Sequence, residues 1–256
     1  MKKRCIFGLL LLASACTPSS QDADFKSFIK SFHQSKWKQF PILAAQAGYK
    51  EFDKILPIPN KNKLNSDLNF CKKYHDSLQI FDTSRLSVPF QFEYNKIKPF
   101  LVNHIHNFEI QKIHETDPTY YNLYDAFASI LKMKSTSIEL RLEILESKLK
   151  KVPEFYAAAK ENLKTPDQQK LQEAINQQIQ LYFFFDQQVP DSFQDKGLTE
   201  NQLIELNRLT FQAKLSTKDF IAFCKSAAFE YFDEALNVTP PSSSKNQLEK
   251  VFTAGK

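Results

Sequence analysis

Glycine is scarce in this sequence, with four residues in 256 against 24 phenylalanines. Tight hairpins need residues that tolerate positive φ, so a chain this poor in glycine argues against an all-β fold. Strand-like alternation of apolar and polar residues is also missing over any useful length. What remains is a set of helices joined by turns marked with Pro and Asn. The basic surplus is smaller than it looks. The formal charge is +5, but Lys2, Lys3 and Arg4 fall in a segment expected to be removed, which leaves 31 basic against 29 acidic residues. A net +2 with lysines scattered among Asp and Glu, and no basic stripe, excludes a nucleic-acid partner. Chemical motifs are missing too. There is no Cys or His cluster with zinc spacing, no G-x-S-x-G, no Walker loop and no dinucleotide fingerprint. No cofactor, metal site or catalytic residue is therefore expected.

What is present begins at the N-terminus. "MKKRCIFGLLLLASAC" has a basic start, an apolar run from Ile6 to about Leu12, and small residues Ala13, Ser14 and Ala15 before Cys16. The run is too short to span a bilayer and has the layout of a signal peptide. Small residues directly before a Cys resemble the lipobox of bacterial lipoproteins, although Ala13 stands where Leu is more usual. That resemblance implies cleavage after residue 15, lipidation of Cys16 and a membrane as partner through that lipid. Thr17 rather than Asp follows the Cys, which in two-membrane bacteria implies sorting to the outer membrane. Residues 16–24, with "TPSSQDAD", read as a flexible leash. Cys71 and Cys224 then remain in an oxidising compartment, where a disulfide is open to them. Each also falls on the apolar stripe of an expected helix, and buried free thiols are the favoured reading.

The body, residues 25–237, reads as one all-α domain of about nine helices. Phe25, Phe28, Ile29 and Phe32 open the first helix. A short helix ends at Gly48, and an extended stretch follows through Pro57 and Pro59. Leu64, Leu68, Cys71, His75 and Leu78 mark the next helix. Ser87 caps a long one that should bend at Pro99. Asp117-Pro118 opens a helix through Tyr121 and Leu131. Capping-box spacing appears at Thr136 with Glu139, at Thr165 with Gln168, and at Thr199 with Gln202. Thr217 reads as the start of a last helix through Phe220, Cys224, Tyr231 and Leu236. Residues 238–256 are polar, rich in Pro and Ser, and read as a disordered tail.

His114-Glu115 looks like the opening of a zinc-binding H-E-x-x-H, but Pro118 replaces the second His. The pair is expected at a helix end or loop, with His114 solvated or capping a C-terminus. His104 and His106 point roughly 200° apart on a helix and cannot share an ion. His33 and His75 stand alone. The aromatic groups "TYYNLY" and "LYFFFDQ" cannot all enter one core stripe. Tyr120, Tyr121 and Tyr124 are the candidate ligand-contact residues.

The order of several segments resembles the domain-of-unknown-function 885 family of bacterial lipoproteins. The resemblance rests on "FPILAAQAGYKEFDKILP", "LSVPFQFEYNKIKPFL", "DPTYYNLYDAF" and "ILESKLKKVPEFYAAAKENLKTPDQQKLQEAI", and covers about residues 37 to 236. It implies a fold like that of helical zinc peptidases, of which this chain matches the N-terminal half, one wall of a substrate groove. The family's zinc helix lies beyond the matched region, so no catalytic residue carries over. The expected function is a lipid-anchored, non-catalytic envelope protein that binds a peptide, a protein or another ligand. The alternative is the N-terminal half of a split or truncated zinc-metallopeptidase-like protein.

Overall fold

Where apolar residues recur every three to four positions, the chain is helical throughout, and no strand occurs among the described residues. The computed structural model describes residues 20–133 and 135–237, with side chains from residue 21 to 229. The helices are α1 (Ser20–Gln39), α2 (Pro41–Gln46), α3 (Lys61–Gln79), α4 (Val88–Glu109), α5 (Ile113–Thr116), α6 (Tyr124–Leu131), α7 (Ile138–Leu149), α8 (Val152–Asn162), α9 (Gln168–Phe183), α10 (Val189–Phe193) and α11 (Glu200–Asn237). Setting aside α5 and α10, of four and five residues, leaves nine among the described residues, as expected. The signal segment, Cys16 and the tail from residue 238 lie outside the described residues, as do the side chains of Tyr231 and Leu236.

Two apolar clusters divide the bundle. The first joins α1, α3 and α4 through Phe25, Phe32, Cys71, Tyr74, Leu78 and Leu101. Its rings meet edge to face, as Phe25 does with Phe81 at 4.9 Å and Phe32 with Tyr74 at 5.3 Å. Each such pair adds about 0.5–1.5 kcal/mol beyond area burial. The second cluster joins α6 to α11 through residues such as Phe127, Leu145, Tyr156, Leu181, Phe185 and Phe220. Cys71 sits in the first cluster and Cys224 in the second; both are buried free thiols, so the two do not pair.

Several local expectations need correction. The first helix starts at Ser20 rather than near Phe25, so residues 20–24 are not leash. The reason is visible in two contacts. Asp22 accepts from the Ser87 backbone N–H at 3.0 Å, and Gln21 Nε2 donates to the Asp82 carbonyl at 2.7 Å. The α7 cap is Ser137, not Thr136, and accepts from Leu140 N–H at 3.3 Å. The α9 cap is Asp167, not Thr165, and accepts from Gln169 N–H at 2.8 Å. In both cases a second good capping residue stands closer to the first helical turn. The expected box at Thr199 is reciprocal: Thr199 N–H donates to Gln202 Oε1 at 2.8 Å, and Gln202 N–H donates to Thr199 Oγ1 at 3.3 Å.

Thr217 starts no helix. It lies inside the 38-residue α11, fully buried, with its hydroxyl donating to the Ala213 carbonyl at 2.8 Å. Back-bonding of this kind lets a Thr sit mid-helix without an unpaired hydroxyl. Asp117 does cap, but it caps a 3₁₀ turn (Pro118–Tyr121); the chain breaks at Asn122–Leu123 before α6 begins. Pro99 lies within α4 without ending it.

Candidate functional site

The two clusters do not meet flush. A cavity of about 480 Å³ opens between them, lined by the end of α1, α3 and α4 on one side and by Tyr120, Asn122 and α6 on the other, with α2 and the Pro57–Pro59 stretch, whose Ile42 and Ile58 pack against the second cluster, running between. The gap follows from the chain path. Gly48, at φ +92°, turns the chain after α2, and the prolines then hold it extended across the junction. Asn162 of α8 fixes that extended stretch by donating to the Pro59 carbonyl at 2.5 Å.

The walls of the cavity are apolar and its rim is polar. Phe40, Ile42, Phe108, Tyr120 and Phe155 supply the walls. On the α3 side, Asp67 is mostly buried and already paired. Lys63 pairs with it, and Gln39 Nε2 donates to its Oδ1 at 2.7 Å. Lys63 also donates to the Gln39 carbonyl at 2.8 Å and lies 5.4 Å from the Phe40 ring centre. This ammonium is therefore held by three partners and fixes the junction of α1 and α3.

His104 enters from α4. Its Nδ1 lies 2.8 Å from the Phe100 carbonyl, and its ring packs against Phe100 at 4.3 Å and Phe40 at 5.2 Å. Burial lowers its pKa, so near neutrality the ring is uncharged, with Nδ1–H donating and Nε2 left as an acceptor. Asn107, Asn122 and Asp125 complete the polar rim. Below the floor, buried Lys148 of α7 donates to the Ala126 carbonyl at 3.2 Å. Burial lowers its pKa and the nearby Asp53 raises it. This contact ties α7 to the turn of α6 that lines the cavity.

Of the three candidate tyrosines, the fold brings only Tyr120 to the cavity, 38% exposed and edge-on to Phe108 at 6.2 Å. Enclosure by the cavity walls raises its phenol pKa. Tyr121 is buried, and its hydroxyl donates to the His114 carbonyl at 2.6 Å. Tyr124 packs against Phe184 at 5.4 Å. These two positions serve the core rather than the cavity.

His114 corrects a further expectation. It is neither solvated nor a C-cap. It lies in the short α5, stacked on Phe108 at 5.1 Å, and burial lowers its pKa. The neighbouring backbone is structural: the Glu115 carbonyl accepts from Lys164 and Thr165, and the Thr116 carbonyl from Asp167. The Glu115 and Thr116 carbonyls thus clip the α8–α9 loop to α5. His104 and His106 do diverge as expected, one half-buried and the other exposed. Among the described residues no three His, Cys, Asp or Glu side chains converge in a way that would hold a metal ion. Among them, too, no helix is long and apolar enough to cross a membrane.

No family model matches the sequence, and no curated protein matches it. A solved structure does share its fold, that of "a putative lipoprotein of unknown function from Shewanella oneidensis". The two superpose with a TM-score of 0.74 at 22% sequence identity, over 82% of this chain. The matched region is 38% of the Shewanella oneidensis chain, so this chain spans well under half of that protein. At this identity the likeness shows the fold.

Sequence reasoning missed Lys63, Asp67, Asn107, Asn122 and Asp125. Lys63 and Asp67 carry the i, i+4 spacing of an ordinary surface ion pair, and the asparagines carry no spacing at all. The sequence presents His104 only as a possible metal ligand. Its neighbour Phe100, one turn back on the same face, was the available signal that the ring lies against other aromatics.

Proposed function

We propose that this chain is a lipid-anchored, non-catalytic envelope protein that binds a short extended peptide segment in the cavity between its two clusters. The cavity carries this reading. Its volume of about 480 Å³ suits a small ligand, and its walls are apolar with a few convergent polar groups. Asn107 offers a donor and an acceptor, and Asn122, whose Oδ1 accepts from Tyr124 N–H at 2.9 Å, offers its amide N–H groups, matching the C=O and N–H of an extended backbone. Phe40, Tyr120 and Phe155 suit its side chains. Asp67 is already paired with Lys63, and neutral His104 offers Nε2 as an acceptor to a ligand N–H. Lipid anchoring rests on the signal-like first fifteen residues and Cys16, and the fold likeness to a protein described as a lipoprotein agrees with it.

The binding test is a titration of the purified chain with a random hexapeptide pool, followed by NMR. Shifts should centre on His104, Asn107, Tyr120 and Asn122, and an Asn107→Ala, Asn122→Ala double variant should lose them. Shifts confined to other surfaces, or none, would sink the peptide reading. For the anchor, Cys16→Ser should move the protein from the membrane to the soluble fraction; a variant still sedimenting with membranes refutes lipidation.

A second reading has its own observation. Because the matched region is only 38% of the structural neighbour, this chain is read alternatively as one wall of a groove whose remainder lies on another polypeptide, as in a split zinc-metallopeptidase-like protein. Sequencing the DNA downstream of the Lys256 codon decides it. An adjacent frame encoding an H-E-x-x-H helix favours the split protein, and no such frame favours the stand-alone binder.

A further inference from the structure

The two most exposed large apolar side chains among the described residues are Ile80, at 82%, and Val88, at 76%; Phe92, at 62%, follows Val88 one turn along α4. Burying such side chains is favourable, so their exposure side by side needs a cause. All three belong to one end of the bundle, the end where α1 begins. Gln21 bonds to the carbonyl of Asp82, and Asp22 to the N–H of Ser87, so the start of α1 is pinned onto the α3–α4 turn. Phe25 of α1 packs on Phe81 and Phe90 of the same turn region, at 4.9 and 5.7 Å.

Cys16 is four residues before Ser20. Four residues span at most about 14 Å even fully extended. A lipid on Cys16 therefore holds the start of α1, and with it the α3–α4 turn, within that distance of the bilayer. We infer that Ile80, Val88 and Phe92 form a membrane-contacting face, inserted at the lipid headgroup boundary beside the lipid anchor. This rests on the lipid-anchor reading above.

The surrounding chemistry fits apolar insertion more than charge attraction. Asp24, Lys26, Asp82, Arg85, Glu93 and Lys96 mix both signs at this end. Lys96 pairs with Glu93 at 3.1 Å, and its ammonium lies 4.1 Å from the centre of the Phe92 ring, a cation–π contact that suits a ring at the headgroup boundary rather than in the acyl core. Contact of this kind adds a second hold to the acyl chains and fixes the protein's tilt, which a lipid tether alone leaves free.

The experiment uses the full lipid-modified chain in vesicles of phosphatidylethanolamine and phosphatidylglycerol that contain doxyl-labelled lipid. A fluorophore is attached at Ile80→Cys, Val88→Cys or Phe92→Cys, and in a control at Ile110→Cys. Ile110 is equally apolar and 71% exposed, but sits at the far end of α4, about 33 Å away by helix length. Buried Cys71 and Cys224 stay unlabelled in the folded protein. Fluorophores at 80, 88 and 92 should be quenched at least about twofold more than at 110, as expected for side chains roughly 5–10 Å into the interface. The difference should persist in high salt. Vesicle-bound protein with equal quenching at all four positions overturns the contact face while leaving the lipid anchor standing. A chain that carries no lipid and fails to bind the vesicles overturns both.

Discussion

The Tyr156 hydroxyl donates a 2.5 Å hydrogen bond to Oε1 of Gln178, and both side chains are buried. Gln178 Nε2 donates onward to the Tyr121 carbonyl at 3.2 Å, so one amide joins α8, α9 and the 3₁₀ turn that delivers Tyr120 to the cavity. Tyr156→Phe leaves Gln178 Oε1 without its donor inside the core, at a cost of about 1–3 kcal/mol. Gln178→Leu strands the Tyr121 carbonyl at a similar cost. The two changes break one network, so the double variant should be less destabilised than the sum, by at least about 0.5 kcal/mol. Urea denaturation of the four proteins measures this, and simple additivity would refute the shared network.

The run "LYFFFDQ" poses a packing problem that the helix solves by changing its winding. Residues Phe184–Gln188 form a π turn between α9 and α10. Phe184 and Phe185 are both buried, while Phe183 is 50% exposed. Phe185, edge-on to Phe127 at 5.0 Å, should lose about 3–5 kcal/mol on change to Ala. Phe183→Ala should stay within about 0.5 kcal/mol of the parent. Comparable losses at the two positions would contradict the winding described here.

Much of this architecture was legible in the sequence, because helix periodicity and glycine scarcity are local properties. Gly48 ends α2 as its spacing suggests, and Thr199 and Gln202 make the capping box their order implies. Choices between neighbours were not legible. Thr136 and Ser137 both cap well, and only the tertiary position of α7 selects Ser137. Thr217 reads as a cap until the buried face of α11 is known, since a hydroxyl bonded back to Ala213 leaves no trace in the sequence. The cavity was least legible of all. It draws Lys63, His104 and Tyr120 from three separate segments, and only the gap between two apolar clusters brings them together.

The thiols give a chemical check on the two-cluster core. Burial pushes the Cys71 and Cys224 pKa values up to about 12, so neither carries appreciable thiolate near neutrality. A thiol reagent at pH 8 should leave both unmodified in native protein and modify both in urea. Native-state labelling at either position, or a mass consistent with a Cys71–Cys224 disulfide, would contradict their burial in separate clusters.

Acid should weaken the fold before the carboxylates are protonated. His33, His104 and His114 all have pKa values lowered from 6.5, in each case chiefly by burial. A base with a lowered native pKa binds fewer protons folded than unfolded. Its contribution is therefore complete above pH 6.5 and is lost as pH falls through 6.5 towards the native value. Asp53 and Glu146, raised by burial from 3.8 and 4.5, act in the opposite direction as pH falls towards those ordinary values. Stability should thus fall from pH 7 to pH 5. For His104, Asp67 favours the charged form and Lys36 opposes it, and burial outweighs both. His104→Gln removes one of these titrations while keeping an amide that can bond to Phe100, so its denaturation midpoint should vary less over that interval. An unchanged slope in the variant would show that the His104 ring is not held neutral between Phe40 and Phe100, and would remove the acceptor that the cavity offers at Nε2.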